Sequence, residues 1–120
     1  MKKSILLVDD DVASLKLANL ILNKGDYELH SAKSGLDALN FLRRKKADLI
    51  LLDIEMPVMS GLKTLEKIRS NKDIADIPVI VVTSSADKDT IVDACSYEIV
   101  DYIVKPFIPA DLQKRVEKAL

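Results

Sequence analysis

The sequence has one cysteine, one histidine and almost no net charge, and each shortage excludes a class of protein. One cysteine, Cys95, allows no disulfide within the chain, and we expect it to be a small buried hydrophobic residue of a helix. The only histidine, His30, has no second histidine or cysteine pair to complete a zinc site, so it is interpreted as an ordinary strand residue. Eighteen basic against nineteen acidic residues argue against a nucleic-acid-binding surface.

Long apolar runs and leader signals are also missing. No stretch is long enough to span a membrane, and Met1-Lys2-Lys3-Ser4 leads directly into an apolar strand without the cleavage site of a signal peptide. We therefore expect a cytoplasmic protein with no membrane partner. The 120 residues, 48% of them hydrophobic, contain no repeat or linker, so residues 1–120 are interpreted as one domain.

Five short apolar segments alternate with five segments of helical spacing. Strands are predicted at Ile5–Val8, Tyr27–Ser31, Leu49–Leu52, Pro78–Val82 and Tyr102–Val104. The third has no polar alternation, which is typical of a central parallel strand covered on both faces. The sequence thus predicts an α/β fold: a doubly wound, five-stranded parallel sheet in the flavodoxin-like order 2-1-3-4-5, with helices on both faces.

Local signals mark several helix boundaries. Gly25 is expected to end the first helix, Ser34-Gly35 and Ser60-Gly61 to open the second and third, and Pro109 to start the last. The basic run Arg43–Lys46 closes the second helix, where cations suit the helix dipole, and we interpret it as solvated rather than as a binding patch.

Polar residues follow four of the predicted strands: Asp9 and Asp10 the first, Asp53 the third, Thr83 the fourth and Lys105 the fifth. These strand ends share the sheet edge where open α/β proteins bind ligands. Three converging carboxylates repel one another unless a cation neutralises them, and oxygen ligands without nitrogen or sulfur favour Mg²⁺ over zinc. A central aspartate could then attack a phosphoryl group, with Lys105 and Thr83 binding its other oxygens.

These residues also have a structural interpretation, because Asp, Ser and Thr commonly cap the helix that follows a strand. Capping accounts for Asp11, Thr83 or Ser84 taken singly, and for Asp11 it is the favoured role. It gives no reason for a lysine and a central acid at the same edge.

The motifs at these strand ends together resemble the receiver domain of two-component response regulators, including the chemotaxis regulators. They are Leu7-Val8-Asp9-Asp10, Leu52-Asp53-Ile54-Glu55-Met56-Pro57-Val58-Met59-Ser60-Gly61, Val79–Thr83 and Tyr102-Ile103-Val104-Lys105-Pro106-Phe107. Each is weak alone, but they occur in order and at compatible spacing. The resemblance runs without a gap from Ile5 to the last helix.

The resemblance implies a phosphoacceptor site. Asp53 would accept a phosphoryl group from a histidine kinase or phosphotransfer protein. The Mg²⁺ ligands would be Asp10, Asp53 and the backbone carbonyl of Glu55, with Asp9 acting through water. Such a chain is a signalling domain rather than an enzyme with turnover, since it catalyses only its own aspartyl phosphorylation and dephosphorylation. A cis peptide bond between Lys105 and Pro106 is implied as well.

The resemblance also implies a switch. Thr83 would move toward the phosphoryl group and Tyr102 would turn inward. That change would alter the face formed by the fourth helix, the fifth strand and the fifth helix, which an output partner reads. No effector domain is present in the 120 residues, so we expect either a stand-alone receiver or part of a longer protein.

Two features depart from the family's usual pattern. Tyr97-Glu98-Ile99-Val100 stands where a small Gly-Ala pair usually precedes the fifth strand, which leaves partner choice open. Asp101, Asp111 and Arg115 match charges that pair across a dimer in DNA-binding members, but Ile91 replaces the expected basic residue. A homodimer through this face is therefore left open.

Two other functions remain as alternatives. Asp9-Asp10-Asp11 also resembles the acidic motif of haloacid-dehalogenase-type phosphohydrolases, although Thr83-Ser84-Ser85-Ala86 occupies the place of their second acidic pair. A flavin-binding electron carrier of the same fold is less favoured, because the three aspartates would repel a flavin phosphate.

Overall fold

The computed structural model describes residues 2–56, 59–84 and 88–120. Pro57 and Val58 of the proposed acceptor motif, and Ser85 and Ala86 after the fourth strand, lie outside these residues. Within them, parallel strands alternate with helices along the chain. The strands are β1 (Lys3–Val8), β2 (Tyr27–Ala32), β3 (Leu49–Asp53), β4 (Val79–Thr83) and β5 (Asp101–Val104). The helices are α1 (Val12–Leu22), α2 (Gly35–Arg44), α3 (Gly61–Ser70), α4 (Lys88–Cys95) and α5 (Pro109–Ala119).

The strands form one parallel sheet in the order β2-β1-β3-β4-β5, which confirms the predicted topology. In the register, Val8 lies beside Leu52, Asp53 beside Val82, and Thr83 beside Val104. The carboxyl ends of β1, β3, β4 and β5 therefore meet at one edge of the sheet.

The core lies on both faces of the sheet. Every residue of β3 and β4 is buried, as expected for continuous apolar strands covered on both sides. Because successive side chains of a strand point to opposite faces, Leu6 and Val8 pack toward α2 and α3, whereas Ile5 and Leu7 pack toward α1 and α5. The predicted layer of helices on each face is confirmed.

The predicted helix starts are also confirmed. The side chain of Asp11 caps α1 by accepting hydrogen bonds from the Ala13 N–H at 3.2 Å and the Ser14 hydroxyl at 2.8 Å. Ser60 caps α3, and Pro109 begins α5. Gly61 has a further role, because a Cβ there would lie 2.2 Å from the backbone of Asp53 and Ile54. A side chain at this position would push α3 away from the end of β3.

The expectation that Cys95 is buried is wrong, because its side chain is exposed. In α4 the neighbouring Ala94 is fully buried, and adjacent residues of a helix point about 100° apart, so Cys95 turns toward solvent. The run Arg43–Lys46 is exposed, as predicted. His30 lies in β2, 2.9 Å from a Glu28 carboxylate oxygen and against the ring of Phe41. In the described ranges, no helix has the length and apolar character needed to cross a membrane.

Candidate functional site

Three aspartates converge at the carboxyl edge of the sheet. Asp9 and Asp10 follow β1, and Asp53 ends β3. One carboxylate oxygen from each lies within 4.8 Å of the others. Asp9 and Asp53 are buried, whereas Asp10 faces solvent. The strand order predicted this convergence, since β1 and β3 are neighbours.

Lys105 joins the three acids from the end of β5. Its Nζ lies 2.7 Å from Oδ2 of Asp9 and 3.5 Å from Oδ2 of Asp53, and only 18% of its side chain is exposed. Burial lowers the pKa of Lys105, but its hydrogen bond to Asp9 and the charges of Asp53 and Asp9 raise it above the usual value overall. The lysine therefore stays charged at neutral pH. The Lys105–Pro106 peptide bond is cis, as the resemblance implied.

The Asp53 carboxyl binds a proton more tightly than an ordinary aspartate does. Burial raises its pKa to about 6, and the adjacent Asp9 carboxylate adds to the increase. The backbone N–H of Glu55, 2.9 Å from Oδ1, and the charge of Lys105 act in the opposite direction. Above this pKa, Asp53 is an ionised carboxylate in a site that disfavours its charge.

Asp9 is fixed on both of its oxygens. Oδ2 pairs with Lys105, and Oδ1 accepts a hydrogen bond from the Asp11 N–H at 2.9 Å. Asp10 lies between Asp9 and Asp11 in sequence and is exposed to solvent. The buried acid is thus anchored, whereas the exposed acid is accessible to a ligand that arrives from outside.

Thr83 and Glu55 form a contact that the sequence interpretation missed. Thr83 ends β4 and is 1% exposed. Its hydroxyl donates a hydrogen bond to the Glu55 carboxylate, which also accepts from the N–H and the hydroxyl of Ser84. Sequence reasoning assigned a role to the Glu55 carbonyl but none to its side chain. The signal was available, because β3 and β4 are neighbours and an acid follows one strand while two hydroxyl residues follow the other.

Tyr102 lies in β5 and is 42% exposed. Beside it, Arg115 pairs with Asp101 at 2.6 Å and with Asp111 at 3.0 Å, and it also lies 3.4 Å from the Tyr102 carbonyl. In this chain the three charges that the sequence interpretation singled out are paired with one another.

The unusual segment before β5 is held by Arg69 of α3. The guanidinium donates hydrogen bonds to the carbonyls of Tyr97 at 2.7 Å, Ala75 at 2.9 Å and Ile77 at 2.8 Å. Glu98 adopts a positive φ of 60° in the same segment. Arg69 therefore joins the loop before β4 to the loop before β5, a role that the sequence did not reveal.

The donor set of this edge suits a small, hard cation. It consists of carboxylate oxygens with no histidine or thiolate among the described residues nearby, and one lysine offsets only part of the charge of its three acids. Such a set matches Mg²⁺ or Mn²⁺ better than zinc. A cation and Lys105 together could neutralise an oxyanion that forms beside Asp53.

Comparisons with known proteins identify the family to which the chain is similar. Residues 5–117 match the family described as response regulator receiver domain. The transcriptional regulatory protein ZraR of Salmonella typhimurium is 37% identical over 119 residues, which are 99% of this chain and 26% of that protein. The chain thus spans about a quarter of ZraR's length.

Two further relatives match along most of their length. Chemotaxis protein CheY-3 of Vibrio cholerae is 31% identical, over 98% of this chain and 92% of that protein. The solved Mn(2+)-bound form of response regulator Rcp1 is 33% identical with a TM-score of 0.83, over 97% of this chain and 90% of that one. On the family match and the identity to CheY-3, this chain belongs to the receiver domains of two-component response regulators.

Proposed function

We propose that residues 1–120 form a cytoplasmic receiver domain that accepts a phosphoryl group on Asp53 from a histidine kinase or phosphotransfer protein. The observation that carries this proposal is the convergence of a buried, central carboxylate with two further acids and Lys105 at the carboxyl edge of the sheet. Helix capping does not require that arrangement. In the transfer, an oxygen of Asp53 bonds to phosphorus while the bond from phosphorus to the donor breaks, and its electron pair leaves with the donor.

The proposal assigns a distinct role to each side chain. Asp10, Asp53 and the backbone carbonyl of Glu55 would bind Mg²⁺, and Asp9 would reach it through a water molecule. When bound, the cation supplies positive charge to the phosphoryl oxygens. Lys105 would contact another phosphoryl oxygen, since its Nζ already lies 3.5 Å from Oδ2 of Asp53. The Mn(2+)-bound form of Rcp1 supports a divalent cation in a receiver of this kind.

The output of the site would be a conformational switch. A dianionic phosphoryl group carries more negative charge than the Glu55 carboxylate to which the Thr83 hydroxyl donates, so it would draw in that hydroxyl. Tyr102, exposed in this structure, would then turn toward the space behind Thr83. The face of α4, β5 and α5 would change, and an output partner or an effector domain of a longer protein would read it. A second copy of the chain, which the sequence left open as a partner, would be one candidate for this role.

Stoichiometric phosphorylation tests the proposal. With acetyl phosphate and Mg²⁺, the intact mass should rise by one phosphoryl group per chain, and EDTA should prevent the increase. Asp53→Asn should abolish it. The matched control Asp26→Asn, at a carboxylate with 85% of its side chain exposed, should leave it unchanged. Labelling of Asp53→Asn, or repeated turnover of p-nitrophenyl phosphate by the wild type, would contradict the proposal, and the turnover would favour a phosphohydrolase.

A further inference from the structure

The Glu55 side chain bridges two neighbouring strands at the candidate site. Glu55 lies two residues beyond Asp53 on the loop after β3. Its carboxylate accepts hydrogen bonds from three donors at the end of β4: the Thr83 hydroxyl, the Ser84 N–H at 2.9 Å and the Ser84 hydroxyl at 2.6 Å. Hydrogen bonds to an ionised acceptor are stronger than neutral ones, so this contact holds the end of β4 firmly.

The same loop brings the contact close to Asp53. The Glu55 N–H donates to Oδ1 of Asp53 at 2.9 Å, while the Glu55 carboxylate holds Thr83. Asp53 lies beside Val82 in the register, one residue before Thr83. The donors at the end of β4 therefore already bind an anion, although that anion belongs to the chain itself.

We propose that Glu55 is a positioning residue whose carboxylate holds the Thr83 and Ser84 donors in the unphosphorylated chain and must be displaced before a phosphoryl group on Asp53 can bind them. This inference rests on the proposed function, because it concerns how the same site is regulated. The carboxylate competes with the phosphoryl group for shared donors, and the two negative charges repel each other. Glu55 thus favours the unswitched state and opposes the movement of Thr83.

Two substitutions of Glu55 distinguish the effect of its hydrogen bonds to the end of β4 from the effect of its negative charge. Glu55→Asp keeps the charge but shortens the side chain by one methylene group, so the carboxylate no longer reaches β4. Glu55→Gln keeps the length but replaces the charged acceptor with a weaker neutral one. Both keep the backbone N–H and carbonyl. The matched controls are Glu117→Asp and Glu117→Gln, because Glu117 is exposed near the start of β2, at the opposite edge of the sheet.

The test is an NMR titration with beryllofluoride in the presence of Mg²⁺. We expect both Glu55 variants to lower the apparent dissociation constant about tenfold, which corresponds to about 1.4 kcal/mol, while the Glu117 variants match the wild type. If Glu55→Gln binds more tightly but Glu55→Asp matches the wild type, general electrostatics accounts for the effect and the inference is overturned.

The free protein gives an independent signature. Without ligand, the amide proton of Ser84 should shift upfield in Glu55→Asp, because its charged acceptor is gone, and it should stay in place in Glu117→Asp. An unchanged Ser84 resonance would overturn the inference. A purely structural role for Glu55 would lower stability without tightening beryllofluoride binding.

The outcomes also separate this inference from the proposed function. If the wild type binds beryllofluoride and accepts a phosphoryl group on Asp53 but the Glu55 variants bind no more tightly, only the inference about Glu55 fails. If the wild type does neither, the proposed function fails and the inference fails with it.

Discussion

Replacing Asp53 with asparagine should stabilise the metal-free domain, although it removes the residue on which the proposed function depends. Burial, aided by Asp9, raises the pKa of Asp53 from 3.8 to about 6. The folded chain therefore binds this proton more tightly than the unfolded chain, and ionising Asp53 costs folding free energy. The cost is absent below about pH 4, grows as the pH rises to about 6, and is constant above that.

The size of the effect follows from the same pKa shift. A difference of about 2 pH units corresponds to an upper limit of about 3 kcal/mol. Asparagine keeps an oxygen for the Glu55 N–H, but its amide would face Lys105, which lies 3.5 Å from Oδ2 in the wild type. Lys105 keeps its stronger partner, Asp9, at 2.7 Å. We expect a net gain of about 1–2 kcal/mol at pH 7.5, or several degrees in Tm.

Urea unfolding in EDTA at pH 4.5, 6 and 7.5 measures this gain. The gain in the free energy of unfolding of Asp53→Asn over the wild type should be largest at pH 7.5, slightly smaller at pH 6 and smallest at pH 4.5, because most of the cost of ionising Asp53 arises between about pH 4 and pH 6. Asp26→Asn, the exposed control, should show no such trend. A gain that does not vary with pH, or a loss of stability at pH 7.5, would refute the reasoning that burial of the Asp53 charge destabilises the fold.

Three other substitutions test separate parts of the site. Asp10→Asn should stabilise the metal-free domain by about 1 kcal/mol, because it reduces the repulsion among the three acids, and it should weaken Mg²⁺ binding. Thermal melts with and without Mg²⁺ measure both effects, and a metal-free variant less stable than the wild type would contradict this prediction. Thr83→Ala should still be phosphorylated but should lose most of the beryllofluoride-induced NMR shift at Tyr102, and an unchanged shift would show that Thr83 does not gate the switch. Arg69→Met should cost about 2 kcal/mol in urea unfolding, because three backbone carbonyls lose their donor, and a cost below about 0.5 kcal/mol would contradict that role.

The sheet and the acidic cluster could be predicted because they depend on patterns that the sequence carries directly. Continuous apolar runs identify the central strands, and the right-handed rule for parallel connections limits their order. Once that order is known, the residues at the carboxyl ends of the strands can be placed at one edge of the sheet. Asp9, Asp53 and Lys105 therefore met as expected.

The sequence was less informative about side-chain orientation. α4 is short and only weakly amphipathic, so its spacing did not show that Ala94 rather than Cys95 faces the core. The role of Arg69 depends on carbonyls that lie up to 28 residues away, in loops whose path no local pattern determines. Strand adjacency brought Glu55 near Thr83, but their hydrogen bond depends on a rotamer that the sequence does not specify.

Locating the phosphoryl group is the most direct test of the central claim. After treatment with acetyl phosphate and Mg²⁺, borohydride reduces an aspartyl phosphate to homoserine, which tandem mass spectrometry can place in the sequence. We expect homoserine at position 53 alone, in amounts that fall to background with EDTA. Homoserine at Asp9 or Asp10, or a stable phosphate on a serine with none at Asp53, would contradict the assignment of Asp53 as the phosphoacceptor.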